Sequence, residues 1–333
     1  MRSWLNNLLK NPKKDTGKVL GINLSPEHAA WCLLENAQAS PRIHSSEFVE
    51  EDTPSPVAAL QALIDKGALP KHPCHICLDH RYYSMLLVDA PDVPDQELSD
   101  AVKWKVKDLI NHDIESVVVD AFRLPEDAYR GRMNMLYVAV METDVVQGLV
   151  NLCDKSGMQL ESIGVNELAM SALTEHVAAD SDLGAAFLYI NGNSGTINLI
   201  EQGHLYLTRT IELAKGGGTF SGNLDFQQDP ADNLALDVQR SLDYYESQLG
   251  KTGVSAVYLV AADHEHGAWV EGLSERLPIS AHLYTVPDAL DAEGVRDTGI
   301  VAPALGAALA AVQWAKTAKA NKSAASGGKH ARA

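Results

Sequence analysis

Apolar positions along this chain arrive in two rhythms, one of period two and one near 3.6. Residues 18–37, KVLGINLSPEHAAWCLLENA, give an apolar run, a Ser25-Pro26-Glu27-His28 turn and a second apolar run, which predicts a strand hairpin. Residues 185–211 repeat that grammar: strand, Gly-Asn-Ser-Gly turn, strand, Glu-Gln-Gly turn, strand. Two such hairpins about half a chain apart predict two related lobes.

Between and after the hairpins the rhythms alternate. Residues 74–78 and 83–90 predict short strands. Pro94-Asp95 opens a helix with Leu98, Ala101, Val102, Lys105 and Leu109 in register, closed by Asn111-His112-Asp113. Residues 117–124 and 133–141 predict a strand pair across a loop holding Arg130 and Gly131. Thr143 caps a helix that Gly157 stops, 161–165 is a strand, and Asn166 starts a helix to His176. A helix over 231–249, a buried parallel strand over 256–261 and a helix over 269–276 follow. The order predicts an α/β protein. Residues 298–315 form the one long apolar run. It is rich in Ala and Gly with Pro303 inside, and a buried helix is expected there in preference to a membrane anchor. The tail from Lys316 shows no apolar period and is expected to be disordered.

With 333 residues the chain is long enough for two cores. Its net charge of −17 is uneven: residues 1–18 carry +4 and 316–333 carry +5, leaving −26 for the body. A body that acidic repels phosphate backbones, so nucleic acid is excluded as a partner. Four scattered cysteines and no recognisable secretory leader point to a reducing, cytoplasmic compartment. In the basic segment 1–16, Trp4, Leu5, Leu8 and Leu9 form a stripe beside Arg2, which predicts weak contact with anionic lipid; a docked or core helix is the competing reading.

Three segments suggest chemistry and each has a plainer account. His72-Pro73-Cys74-His75-Ile76-Cys77-Leu78-Asp79-His80 combines C-x-x-C with three histidines, as a metal or redox site would, but a strand puts the two thiols on opposite faces, so a structural strand and no metal is expected. Asp263-His264-Glu265-His266 reads as a solvated turn, and Lys215-Gly216-Gly217-Gly218-Thr219 lacks the spacing of a phosphate loop. Glu167, opening a helix at the centre of the chain, is expected to cap or to hydrogen-bond between lobes.

The segments Gly21-Ile22-Asn23-Leu24-Ser25, 90–114, Val165-Asn166-Glu167-Leu168-Ala169, the second hairpin, Val238-Gln239-Arg240-Ser241-Leu242 with Tyr244-Tyr245, and 302–310 together resemble the PilM branch of the actin-like ATPases. The resemblance implies an actin-like (ribonuclease H-like) α/β fold of two lobes with an inserted α+β subdomain and a shortened second-lobe subdomain. In that division the first lobe holds 17–80, 159–183 and 298–315, and the inserted subdomain holds 81–158. The second lobe holds 184–215 and 254–297, with the reduced subdomain at 216–253.

Against the family pattern the nucleotide site is depleted. Where similar proteins carry G-I-D-I-G, this chain keeps Gly21 but has Asn23 for the metal-serving Asp and Ser25 for the second Gly. A neutral amide does not balance Mg²⁺. The second hairpin offers Asn191, Gly192, Asn193, Ser194, Gly195 and Thr196 without a carboxylate, and Ala262 and Asp263 stand where two glycines would admit adenosine. These departures imply no catalysis and no cofactor, with ATP and Mg²⁺ disfavoured. The resemblance then implies a cytoplasmic scaffold of a type IV pilus machine, peripheral to the inner membrane. It would bind the cytoplasmic N-terminal tail of a PilN-like bitopic subunit, together with other inner-membrane subunits. Tyr82, Tyr83, Trp104 and Ile110 are the candidate groove residues. The alternatives are an ATP-binding actin-like enzyme of the pilus or the type II secretion apparatus, and the cytoplasmic half of a type II secretion scaffold.

Overall fold

Both hairpins form where the alternation places them, and each seeds a five-stranded sheet. The computed structural model describes residues 17–35, 40–50, 52–67, 69–94, 97–177, 183–213, 230–262, 266–287, 290, 295 and 297–327. In the first lobe β1 (Val19–Leu24), β2 (His28–Glu35) and β3 (Arg42–Glu50) run as an antiparallel meander. There β4 (Pro73–Leu78) and β8 (Gln159–Val165) add in parallel beyond β1, giving the order β3-β2-β1-β4-β8. The second lobe repeats this plan with β9 (Gly184–Asn191), β10 (Ser194–Glu201), β11 (His204–Glu212), β12 (Val254–Ala261) and β13 (Ser280–Leu283), in the order β11-β10-β9-β12-β13.

Helices seal the faces. One face of the first sheet carries α1 (Pro56–Asp65) and α3 (Thr143–Ser156), which share a core with Leu20, Ile22, Trp31 and Ile76. On the other face α4 (Asn166–Val177) and α7 (Thr298–Gly327) lie between the two sheets in the largest apolar cluster. Gly21 decides how close α7 comes: a Cβ there would stand 1.9 Å from the Ala304 carbonyl oxygen. The second sheet is backed by α5 (Pro230–Ser247) and α6 (His266–Arg276).

Between β4 and β8 the chain leaves the first lobe to build a three-stranded sheet, β5 (Ser84–Asp89), β6 (Val117–Arg123) and β7 (Met135–Glu142), ordered β5-β7-β6. Leu98, Val102 and Val106 of α2 (Leu98–Val106) cover one face, packing on Val119, Leu136 and Val138. The opposite face looks back at the two lobes. The β6–β7 loop reaches the second lobe: Lys251 Nζ lies 2.6 Å from Asp127 and 2.8 Å from Glu201, and the Tyr206 hydroxyl donates to Asp127 at 2.7 Å.

Several expectations need correction. The helix over 98–109 stops at Val106, and Leu109 is exposed, because Asp113 turns to cap a separate single turn at Ile114–Ser116. The tail continues α7 as far as Gly327, since its Ala-rich and Lys-rich sequence favours helix without needing an apolar stripe. β3, α1 and β13 add to the elements expected from the sequence; β3 is a sheet edge, half-exposed on both faces, so it shows no clean period. Residues Thr298–Thr317 are long and apolar enough to cross a membrane, yet 72% of that stretch is buried in the protein, consistent with a core helix. Cys74 and Cys77 point into different cores, as strand geometry predicts, and no cluster fit for a metal occurs among the described residues.

Candidate functional site

The two hairpin turns face each other across the interlobe cleft, and side chains of this chain span it. Asp79 follows the last residue of β4 and is completely buried. The Arg81 guanidinium donates to Asp79 through Nε at 2.7 Å, and to both carboxylate oxygens of Glu27, in the first hairpin turn, at 2.5 and 2.6 Å. From the second hairpin, Asn191 donates its amide to Asp79 at 3.3 Å, and the Ser194 hydroxyl lies 3.2 Å from His80 Nε2. Gly192, at φ +60°, is pressed against Glu27, since a Cβ would approach its carboxylate to 2.9 Å.

The electrostatics follow from this arrangement. Burial raises the Asp79 carboxyl, but the Arg81 hydrogen bonds and the neighbouring His80 and Arg81 charges outweigh it and hold Asp79 below the ordinary carboxylate value. Arg81 is partly desolvated and is nonetheless pushed up by the two carboxylates. Burial pushes His28 down to about 4, so it is a neutral imidazole at physiological pH. The cleft therefore holds one cation between two anions, all satisfied from within the chain.

The residues singled out in the sequence serve this internal structure. Gly21 faces α7, and Ser25 closes the first turn by donating to the His28 carbonyl at 2.8 Å. Asn23 is fully buried, and neither its amide nitrogen nor its oxygen has a partner among the described residues. Asn193 accepts from the Leu213 backbone, Gly195 backs onto the Tyr189 carbonyl, and Thr196 accepts from Asn198. Ala262 donates its backbone N–H to Ile190, at the end of the sheet. Asp263, the segment from Arg2 to Leu9, and the Lys215–Thr219 stretch lie outside the described residues. In the sequence Glu27 reads only as part of the first turn, Asp79 and His80 only as the end of the cysteine-histidine segment, and Arg81 is not singled out. The signal was there: a polar Asp-His-Arg run at the carboxyl end of a buried parallel strand, beside the first hairpin, is where α/β sheets place their sites.

A second site lies beneath the three-stranded sheet. Its inner face, with Val118, Ala139 and Met141, meets Ile163 and Val165 of β8, the edge strand of the first sheet, to form a narrow slot of about 60 Å³. That is room for about four or five waters, or one aliphatic side chain. Tyr83 lines this slot and donates its hydroxyl hydrogen to Glu167, while accepting the Asn166 N–H at 3.1 Å. The other predicted groove residues are elsewhere: Tyr82 packs on the first lobe's core, Ile110 on the core of the three-stranded sheet, and Trp104 is 67% exposed with Lys107 over its ring.

No protein-family model and no curated protein matches the sequence. Solved structures do. The chain is similar to the PilM-PilN type IV pilus biogenesis complex with a TM-score of 0.68 at 16% identity, over 88% of this chain and 98% of that one. A Bacteroides thetaiotaomicron protein of unknown function with an actin-like ATPase fold gives 0.50 at 10% identity, over 82% and 95%. The cytoplasmic domain of EpsL, an inner membrane component of the type II secretion system of Vibrio cholerae, gives 0.46 at 12% identity, over 81% and 87%. The chain has the actin-like fold, in a PilM-like form.

Proposed function

We propose that this chain is a non-catalytic scaffold of a type IV pilus assembly machine, held at the cytoplasmic side of the inner membrane by the N-terminal tail of a PilN-like bitopic subunit. Within the PilM branch its segments resemble most the MSHA pilus biogenesis protein MshI, which makes the MSHA pilus the machine in question. The observation that carries the non-catalytic reading is the Glu27–Arg81–Asp79 bridge: an internal cation with its two carboxylates takes the place between the hairpins that phosphate and metal would need. Asn23, which stands where a metal-serving carboxylate would, is sealed inside the lobe.

What remains useful is the surface under the three-stranded sheet. The slot at Val118, Met141 and Ile163 suits an aliphatic anchor of the tail, and the free edge of β8 beside it suits an extended backbone. Other inner-membrane subunits would bind around this contact, and residues 1–16 would add weak attraction to anionic lipid. Deleting them should abolish sedimentation with anionic vesicles and leave the melting temperature nearly unchanged; a variant that sediments like wild type refutes the lipid contact.

Two titrations test the reading together. Calorimetry with ATP and Mg²⁺ should show no binding tighter than about millimolar, or roughly 4 kcal/mol. A fluorescent peptide from the cytoplasmic tail of the PilN-like subunit should bind the wild type and fail to bind Ala139→Trp, which fills the slot. A micromolar, Mg²⁺-dependent ATP isotherm without peptide binding would favour the alternative, an actin-like ATPase of the pilus or secretion apparatus.

A further inference from the structure

A larger cavity, about 280 Å³, lies on the same inner face of the three-stranded sheet as the slot, on the far side of the Tyr83–Glu167 pair. Met85 and Leu87 of β5 and Tyr137 of β7 form one wall, and β11 with Tyr244 of α5 forms the other. Along β7 the two sites are about two residues apart, since Tyr137 lines one and Ala139 the other; at the rise of a strand that is about 7 Å.

The chemistry of the two sites differs. β11 is an edge strand. The Thr208 N–H points off the sheet and is donated to the Tyr137 hydroxyl at 3.1 Å. Alternation in an antiparallel ladder then turns the N–H and carbonyl of Thr210 the same way, toward the cavity. Between them Arg209 lays its guanidinium over the Tyr244 ring, 4.9 Å from the centroid, and makes no ion pair or hydrogen bond among the described residues. Glu167 also lines this cavity, but its carboxyl is taken up by the Tyr83 hydroxyl and makes no bond to Arg209. On a body with a net charge of −26, a cation with no ion pair among the described residues, at the mouth of a cavity beside an open strand edge, is complementary to an extended segment carrying a carboxylate.

We infer that this cavity is a second recognition site for the bound tail: the segment anchored in the slot continues under the three-stranded sheet, pairs with β11 at Thr210 and sets an Asp or Glu side chain against Arg209. The inference rests on the partner cleft proposed above and adds the chemistry of the partner: one or more aliphatic anchors, then an acidic residue two to four positions away.

The test uses the full chain as bait for a displayed library of random twelve-residue peptides. Wild type should enrich aliphatic anchors with an Asp or Glu at a fixed offset. Arg209→Gln, checked for folding by circular dichroism, should enrich the anchors and lose the acid, and Arg209→Lys should keep a weaker acid preference. For one selected peptide, Asp→Asn or Glu→Gln at that position should weaken binding to wild type about tenfold or more and leave binding to Arg209→Gln unchanged. Acid enrichment absent from wild type, or equal in Arg209→Gln, overturns the second site and leaves the slot standing. No enrichment by any bait removes the partner cleft itself, and this inference with it.

Discussion

Tyr83 and Glu167 meet at the junction of all three sheets. The phenol leaves the turn after β4, the carboxylate opens α4, and the hydroxyl both donates to Glu167 and accepts the Asn166 N–H. The pair separates the slot beneath β6 from the cavity beneath β5, so the charge of Glu167 bears on both.

Burial raises the Glu167 carboxyl from 4.5 to about 7, against the lowering effect of the Tyr83 hydrogen bond. The folded state thus keeps a proton that the unfolded chain has released. The stability this group contributes is full below about pH 4.5 and is lost as pH rises to about 7, on the order of 3 kcal/mol in all. Glu167→Gln accepts the same hydrogen bond and does not ionise. Urea unfolding from pH 4.5 to 8 should show the variant equal to wild type at the acid end and more stable at the alkaline end. Parallel profiles would mean that the carboxyl is solvated.

Arg81 neutralises a carboxylate with no exposed surface, and this decides the cost of losing it. Arg81→Ala strands Asp79 and should destabilise the chain by about 3 to 5 kcal/mol. Glu27 is 39% exposed, so Glu27→Gln should cost under about 1 kcal/mol. The double variant Arg81→Met with Asp79→Asn removes both charges and should recover most of the loss in chemical denaturation. Equal small effects of Arg81→Ala and Glu27→Gln would make the bridge a surface ion pair.

Gly21→Ala tests the contact that joins α7 to β1. A methyl 1.9 Å from the Ala304 carbonyl oxygen has nowhere to go, because the atom it meets is helix backbone. A loss of about 3 kcal/mol or more, or failure to accumulate as folded protein, is expected from thermal unfolding. A near-neutral result would show that α7 shifts freely over the sheet.

Much of this protein was legible from its order of residues. The turns at Ser25-Pro26-Glu27 and Gly192-Asn193, the glycine stop at Gly157 and the opposed faces of Cys74 and Cys77 are local consequences of turn chemistry and strand period. That Asn23 and Ser25 depart from the pattern of the family the chain resembles was equally visible, because an amide in place of a carboxylate needs no fold to be noticed. What occupies the cleft was decided only in three dimensions. Glu27, Arg81 and Asn191 are separated by 54 and 110 positions, and their bridge exists because β4 runs between β1 and β8 and brings its polar end up to the second hairpin. The proposed partner sites depended on tertiary structure still more. The family resemblance nominates Trp104 as a groove residue, and α2 turns it to solvent away from the slot, whereas the Val118, Ala139 and Ile163 that line the slot are ordinary strand aliphatics. Burial of a strand's second face depends on which neighbour stands opposite, and a period of two in the sequence marks both faces without saying what each one meets.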